Sequence, residues 1–284
     1  MKIGEVIDYL DSQFVPALQE SYDNSGFLVG DLENEITGVL VALDVTPEVI
    51  EEAIEKGLNL IVSHHPLIFS GLKRITSSDT TGRMVTRLLQ KGIAVYAAHT
   101  NLDNLPWGVN GILAQKLGMR DCRVLRPTTG MPHETCGATM AGAGMIGSLP
   151  QPMPIMEFLE MVKMRLGLPY LRVSGNVTHD HTKCPRDVGG PGKAVGSLQL
   201  LAICGGAGSF LIDDAKAAGA DIYLTGDLKY HDFQKADGKM ILVDIGHYES
   251  EQFAKELICR VISEKFSNFA CQISEKNRSY IQFI

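Results

Sequence analysis

Six side chains in three short stretches have the types and spacing to hold metal ions. They are His64 and His65 in LNLIVSHHP (58–66), His99 and Asp103 in IAVYAAHTNLD (93–103), and His247 and Glu251 in MILVDIGHYESE (240–251). Imidazole nitrogens and carboxylate oxygens ligate divalent first-row metals, and ions held this way activate water for hydrolysis. Each His-x3-acid pair puts both side chains on one face if the chain makes a helical turn. His64 and His65 are adjacent and on a regular strand point to opposite faces. Pro66 bars continuation as a central strand and holds His65 extended, so the chain leaves the sheet here and both rings can turn to one site. Each stretch alone also has a plainer reading, as strand-end histidines bonded to backbone or as a helix N-terminal carboxylate beside a histidine. Taken together, four imidazoles and two carboxylates are enough for two ions with one bridging carboxylate, whereas a single ion needs three or four protein ligands.

Strands and helices must hold these ends in place. Apolar positions Ile3, Val6, Ile7 and Leu10 recur at helical spacing, and Asp23-Asn24-Ser25-Gly26 leads into a short strand, FLVG. Strand TGVLVALD (37–44), helix TPEVIEEAIEKG (46–57) and strand LNLIVS (58–63) form a β-α-β unit, with Thr46 as N-cap, Pro47 in the first turn and Gly57 as stop. The unbroken apolar run of 58–63 predicts a strand buried on both faces. A helix over 82–91 and a strand over 93–98 extend the pattern. From about residue 124 the texture changes to a Gly-rich strand (136–149), a helix (152–168), strand 170–175 and a polar loop, 176–196. Alternation resumes with 197–209, a helix to Gly219, strands 221–227 and 240–247, a helix over 249–264 and a strand near 279–284. The expected fold is an α/β protein whose first half is a three-layer sheet. The expected lobes are a metal-binding domain of residues 1–124 and 218–284 and a second lobe of 125–217.

The chain repeats itself. AIEKGLNLIVSHH (53–65) lies over AKAAGADIYLTGD (215–227), and VYAAHTNLD (95–103) lies over VDIGHYESE (243–251), pairing His99 with His247 and Asp103 with Glu251. The spacers have diverged while the strand ends have not.

Other candidates are less specific. Cys204-Gly-Gly-Ala-Gly-Ser209 follows a strand and offers backbone N–H groups to a phosphate, or is a tight turn that needs glycine. His179-Asp-His181-x2-Cys184 resembles half a zinc site but reads better as a solvated loop. Thr225-Gly-Asp-Leu-Lys-Tyr-His231-Asp232 is polar enough to line a cleft. The cysteines at 122, 136, 184, 204, 259 and 271 form no CxxC pair and lie far apart in sequence, which favours a reduced, cytoplasmic protein. No stretch approaches the roughly 20 apolar residues of a membrane span. The net charge of −7 gives little electrostatic reason to expect nucleic acid or anionic membrane as partner.

With these motifs in place, the chain resembles the YbgI-like, or Nif-three-like, family, often labelled GTP cyclohydrolase 1 type 2 homologues. The resemblance rests on six ordered motifs spanning nearly the whole length: Asp23-Asn24-x-Gly26, Ser63-His64-His65-Pro66, His99-Thr100-Asn101-Leu102-Asp103, the Cys204 glycine loop, Thr225-Gly226-Asp227-x-Lys229-Tyr230-His231, and Gly246-His247-x3-Glu251. It implies a duplicated three-layer α/β/α sandwich with mixed sheets and a dinuclear centre of two divalent ions, with iron, zinc and manganese all suited to mixed N/O ligands. It also implies a toroidal homohexamer built as a trimer of dimers. Carried over motif by motif, the ligands are His64, His65, Asp103, His247 and Glu251, with Glu251 as bridge and His99 close by. The function expected is metal-dependent hydrolysis of a nucleotide, phosphoester or cyclic amide, with His99 or His231 carrying protons. The alternative is a non-enzymatic metal-bearing ring that binds a regulatory partner or nucleic acid.

Overall fold

The computed structural model describes residues 1–128, 140–174 and 197–281. Its first four strands are β1 (Gly26–Val29), β2 (Gly38–Ala42), β3 (Leu60–Ser63) and β4 (Ala94–Ala97), accompanied by helices α1 (Ile3–Gln13), α2 (Pro47–Glu55) and α3 (Thr80–Lys91). Local chemistry sets the helix bounds. The Thr46 hydroxyl accepts from Val49 N at 3.2 Å and Pro47 fills the first turn, while Asp79 accepts from Gly82 N at 2.7 Å. Gly92, with φ of +65°, ends α3 in the left-handed conformation.

Every residue of β2, β3 and β4 is buried. The reason is that the sheet is covered on both faces. Leu40, Ala42, Ile61 and Val95 pack with Val49, Ile50, Ala53, Val85 and Leu88 of α2 and α3. On the opposite face the Tyr96 hydroxyl donates to Asp11 of α1 at 2.8 Å. This is a three-layer arrangement, as the unbroken apolar runs predict.

A one-turn helix, α4 (Thr100–Asp103), and α5 (Val109–Leu117) follow β4, and then come β5 (Arg120–Pro127) and β6 (Gly142–Pro154). The rest of the chain is α6 (Ile155–Leu166), β7 (Arg172–Val173), β8 (Ser197–Ala207), α7 (Ile212–Ala217), β9 (Ile222–Gly226), α8 (Tyr230–Gln234), β10 (Ile241–Asp244), α9 (His247–Glu251), α10 (Ala254–Lys265) and β11 (Ala270–Ile273). Two mixed sheets result, ordered β1-β4-β3-β2-β11 and β5-β6-β8-β9-β10-β7.

The sequence repeat is a repeat of topology. In the first sheet β2, β3 and β4 run parallel and β1 lies antiparallel on β4; in the second, β8, β9 and β10 run parallel and β7 lies antiparallel on β10. The register agrees over the first part of the ladder, with Val39 beside Leu60 and Leu201 beside Ile222, and then differs, because β8 shifts register between Ile203 and Ala207. At the next pairing Ser63 lies beside Ala97 but Thr225 beside Asp244, one residue short of the sequence alignment. Gly246, with φ of +80°, absorbs the extra residue at the turn before α9.

The two compact units divide the chain differently from the expected lobes. One comprises Met1–Leu102 with Phe253–Arg278, the other Asp103–Gln252 with Ser279–Ile284. The pairing explains this: β9 and β10 belong to the sheet of β8, so residues 218–252 cannot join the first sheet, whereas β11 pairs with β2 and brings α10 with it. The last strand lies at Ala270–Ile273 and not near 279; residues 279–281 are irregular and 282–284 are outside the described residues. Of the Gly-rich strand expected over 136–149, the described part begins at Gly142 and runs on to Pro154. The loop 176–196, with His179, His181 and Cys184, also lies outside the described residues.

Candidate functional site

In the first unit the β2–β3 ladder continues past Ser63, with His64 N bonded to Ala42 O at 3.1 Å and His65 N to Leu43 O at 2.8 Å. The backbone that carries both histidines is therefore fixed by the sheet itself. The ring of His64 is fully buried, and its Nδ1 lies 2.7 Å from Ala98 O. A carbonyl only accepts, so Nδ1 carries the proton and the lone pair is on Nε2, the form in which an imidazole binds a metal. His65 Nδ1 is 2.7 Å from Asp44 Oδ1, and His99 Nδ1 is 2.7 Å from Asp23 Oδ1. These carboxylates orient the rings in the same way, as partners of metal-bound histidines do.

The three rings form a cluster. Centroids of His64 and His65 are 5.0 Å apart, those of His64 and His99 5.2 Å, and those of His65 and His99 5.5 Å. One ligand atom from each lies within 4.8 Å of the other two, close enough to hold a metal ion. The donor set fits a divalent ion, being three neutral-capable imidazoles with Nδ1 engaged elsewhere. His99 thus belongs to the same triad as the two expected ligands. Asp23 also accepts from the Thr100 hydroxyl at 2.5 Å and the Ser25 hydroxyl at 2.7 Å. Burial alone would raise its carboxyl, but the hydrogen bonds from His99 and Thr100 and the His99 charge hold it well below the usual carboxylate range.

In the second unit, α9 is a single turn that stacks His247 and Glu251 at i and i+4, with Nε2 and Oε2 3.0 Å apart. His247 Nδ1 is again held by a carboxylate, Asp227 Oδ2, at 2.8 Å. Asp227 follows β9 and has φ of +56°, a left-handed conformation that Asp tolerates better than most residues. Asp103 ends α4, and the Asn110 amide donates to its backbone carbonyl at 3.2 Å. Cys204 reports on both acids: burial first, then the charges of Asp103 and Glu251, push its thiol far above the ordinary range. The Cys204 thiol is therefore inert, and two carboxylates act on one buried point.

The glycine loop serves packing. Gly205 N donates to Asn110 Oδ1 at 3.0 Å, Gly206 N to the Ser250 hydroxyl at 2.9 Å and Gly208 N to the Thr225 hydroxyl at 2.8 Å. These N–H groups are committed within the protein, which supports the tight-turn reading over phosphate binding. A Cβ on Gly206 would stand 2.2 Å from Glu251 Oε1, so the glycine leaves room for the carboxylate. His231 lies on the exposed helix α8, its ring 5.2 Å from that of Tyr230 and its Nδ1 3.5 Å from Gln234 Oε1.

Sequence reasoning singled out the histidines but assigned no role to Asp23 or Asp44, and to Asp227 only that its motif could line a cleft. Asp23 and Asp227 stood within recognised motifs. Asp44 carried a weaker signal, as the residue closing the strand next to His65.

Comparison with known proteins finds similarity over the whole chain. A family model described as Duf34/NIF3 (NGG1p interacting factor 3) matches residues 1–279. A Nostoc protein named GTP cyclohydrolase 1 type 2 homolog is 34% identical, covering 100% of this chain and 99% of the relative. A Clostridium perfringens protein of the same name is 31% identical, with 100% of both chains covered. Among solved structures, a Bacillus cereus protein related to NIF3 superposes with a TM-score of 0.83 at 25% identity, covering 100% of this chain and 99% of that one. A Staphylococcus aureus hypothetical protein gives 0.83 at 30% identity with the same coverage.

Proposed function

The chain belongs to the Duf34/NIF3 family, and from that premise we propose that it is a metal-dependent hydrolase with a dinuclear centre held by His64, His65, Asp103, His247 and Glu251. The observation that carries the reading is the histidine triad of the first unit, in which each Nδ1 is bonded to an oxygen, so that His64 and His65 present Nε2 as a ligand atom and His99 presents its own as a proton acceptor. By resemblance to the family, Glu251 would be the carboxylate that serves both ions. Zinc, iron or manganese suits the mixed N/O donors. Divalent ions bound by such residues lower the pKa of water and polarise a phosphoryl or carbonyl oxygen.

The chain's own residues divide the remaining work. Asp23, Asp44 and Asp227 fix ring orientation and tautomer. His99, coupled to Asp23 through Nδ1, is placed to accept and return a proton at Nε2, and His231 on its exposed helix is a second proton carrier. The substrate class is a nucleotide, phosphoester or cyclic amide, in keeping with relatives that are named GTP cyclohydrolase 1 type 2 homolog. A toroidal homohexamer, a trimer of dimers, is part of the same reading, and light scattering of the purified protein tests it.

Metal analysis of protein purified without chelators is the decisive experiment. Two ions per chain are expected, with loss of metal in both His64→Ala and Glu251→Ala. The same metal-loaded sample is then screened against nucleotides, phosphoesters and cyclic amides. Full metal content with no turnover across the panel overturns the hydrolase assignment. In that case the family description, which names an interaction and not a reaction, favours a metal-bearing ring that binds a regulatory partner or nucleic acid. The net charge of −7 weighs against nucleic acid, and salt-dependent DNA binding would restore it.

No helix among the described residues is long and apolar enough to cross a membrane. Cytoplasmic residence is proposed on the cysteine pattern.

A further inference from the structure

Far apart in chemical role from the histidines, two cysteines of the first unit meet. Cys259 lies in the middle of α10 and Cys271 on the edge strand β11, 12 residues on, with Sγ atoms 3.4 Å apart. Each Sγ also faces the other residue's carbonyl, Cys259 Sγ at 3.7 Å from Cys271 O and Cys271 Sγ at 3.9 Å from Cys259 O. Both thiols are partly exposed, unlike the buried Cys204. We infer that Cys259 and Cys271 form a peroxide-reactive dithiol, a modification site at which oxidation joins α10 to β11 through an intramolecular disulfide.

The pair is asymmetric in the way such chemistry needs. The hydrogen bond from Cys271 outweighs burial and draws the Cys259 thiol down to about 6, aided by Ser263. The same hydrogen bond with Cys259, with burial added, pushes Cys271 up. Cys259 is therefore the nucleophile and Cys271 the resolving thiol. The Cys259 thiolate attacks one oxygen of hydrogen peroxide; the O–O bond breaks, hydroxide leaves, and Cys259 carries a sulfenic acid. Cys271 then attacks that sulfur as a thiolate; the S–O bond breaks and a second hydroxide leaves. Each hydroxide takes up one thiol proton, so two thiols are oxidised and one peroxide is reduced to two waters. The bond would fasten an edge strand that has one neighbour in its sheet, β2. It involves none of the metal-binding candidates, so it stands or falls separately from the hydrolase reading.

Peptide mapping is well suited to the test, because tryptic cleavage puts the cysteines in separate peptides, Glu256–Arg260 and Phe266–Lys276. The reduced full-length protein is treated with hydrogen peroxide under native conditions, alkylated after denaturation and mapped by mass spectrometry. The expected result is a linked pair of these two peptides, lighter by two hydrogens than their sum and separated again by dithiothreitol. Cys271→Ser should leave a sulfenic acid on Cys259 that dimedone traps, whereas Cys259→Ser should leave Cys271 unmodified. Slower amide exchange over 270–273 in the oxidised protein is expected as well. Free alkylation of both cysteines after peroxide, or a bond formed by either with Cys122 in their place, overturns the proposal. Dimedone capture on Cys271 in the Cys259→Ser protein overturns the assignment of roles.

Discussion

The two units share four strands of the same order and direction, yet the ends of equivalent strands carry different chemistry. Where His64 and His65 follow β3, the aligned residues are Gly226, which ends β9, and Asp227 just after it. A side chain at Gly226 is impossible as the unit stands: its Cβ would lie 2.9 Å from His247 N and Cα and 3.0 Å from Gly206 O. Asp44 holds His65 in the first unit, whereas in the second the β8–β9 register shifts between Ile203 and Ala207, and Gly206 within that irregularity leaves room for Glu251. Asp227 in turn stands where His65 would be and orients His247. A duplicated scaffold has kept its strands and changed the residues at their ends: a histidine pair follows one strand, and an aspartate that orients a histidine follows the other. The first unit offers imidazoles on strand ends; the second offers an imidazole and carboxylates on helical turns.

The sharpest way to break this comparison is to restore the missing side chain. Gly226→Ala should lose about 3 kcal/mol in urea denaturation, the upper end of the overpacking range, because the Cβ meets rigid backbone. A change below about 1 kcal/mol would show that α9 can shift and that the close approach is not what excludes a ligand there. Next in size is the pair of orienting acids. Asp227→Gly and Asp44→Ala should each lower metal affinity roughly 10–100-fold, as loss of such partners does elsewhere. For Asp227→Gly the fold should stay within about 1 kcal/mol of the parent, since glycine accepts the left-handed backbone. Affinity from competition with a chelating dye and stability from denaturation separate the two effects.

Gly206→Ala distinguishes the units further. The added methyl, 2.2 Å from Glu251 Oε1 at a residue with φ of +61°, should displace the carboxylate and cost about 1–3 kcal/mol. Asp44→Gly, which empties a site in place of filling one, should leave the carboxylate of Glu251 where it is, and a crystal structure of each variant would show the difference. The smallest effect concerns acid. Asp23 is depressed in the folded state, so its contribution to stability is complete above the ordinary value of about 4 and fades as pH falls through the folded value. Asp23→Asn should flatten the acid limb of the stability profile while His65→Ala should not; equal limbs would remove the His99–Asp23 pair from the account.

Much of this was legible in the chain. Helix caps at Thr46 and Pro47, the apolar runs of β2–β4 and the repeated strand ends were all local patterns, and they led to the histidines and to the duplicated fold. What escaped was long-range. The strand Ala270–Ile273 is short, with exposed residues, and has no apolar run to announce it. Its pairing with β2 decides which unit owns α10, and no periodicity records a partner that distant. The orienting role of Asp44 was hidden for the same reason, since it acts on a residue one strand over, 21 positions away.

That exchanged tail has a bearing on how the protein is made. Besides the β2–β11 pairing, the Asn277 side chain accepts from Leu43 N across 234 residues of chain. At a synthesis rate of about 5–20 residues per second, β2 leaves the ribosome roughly ten to fifty seconds before the strand that completes its sheet. During that interval one edge of the nascent sheet is open, a state in which unpaired strands invite aggregation. The window for chaperone engagement is therefore set by chain order, and a circular permutant that begins at α10 would close it.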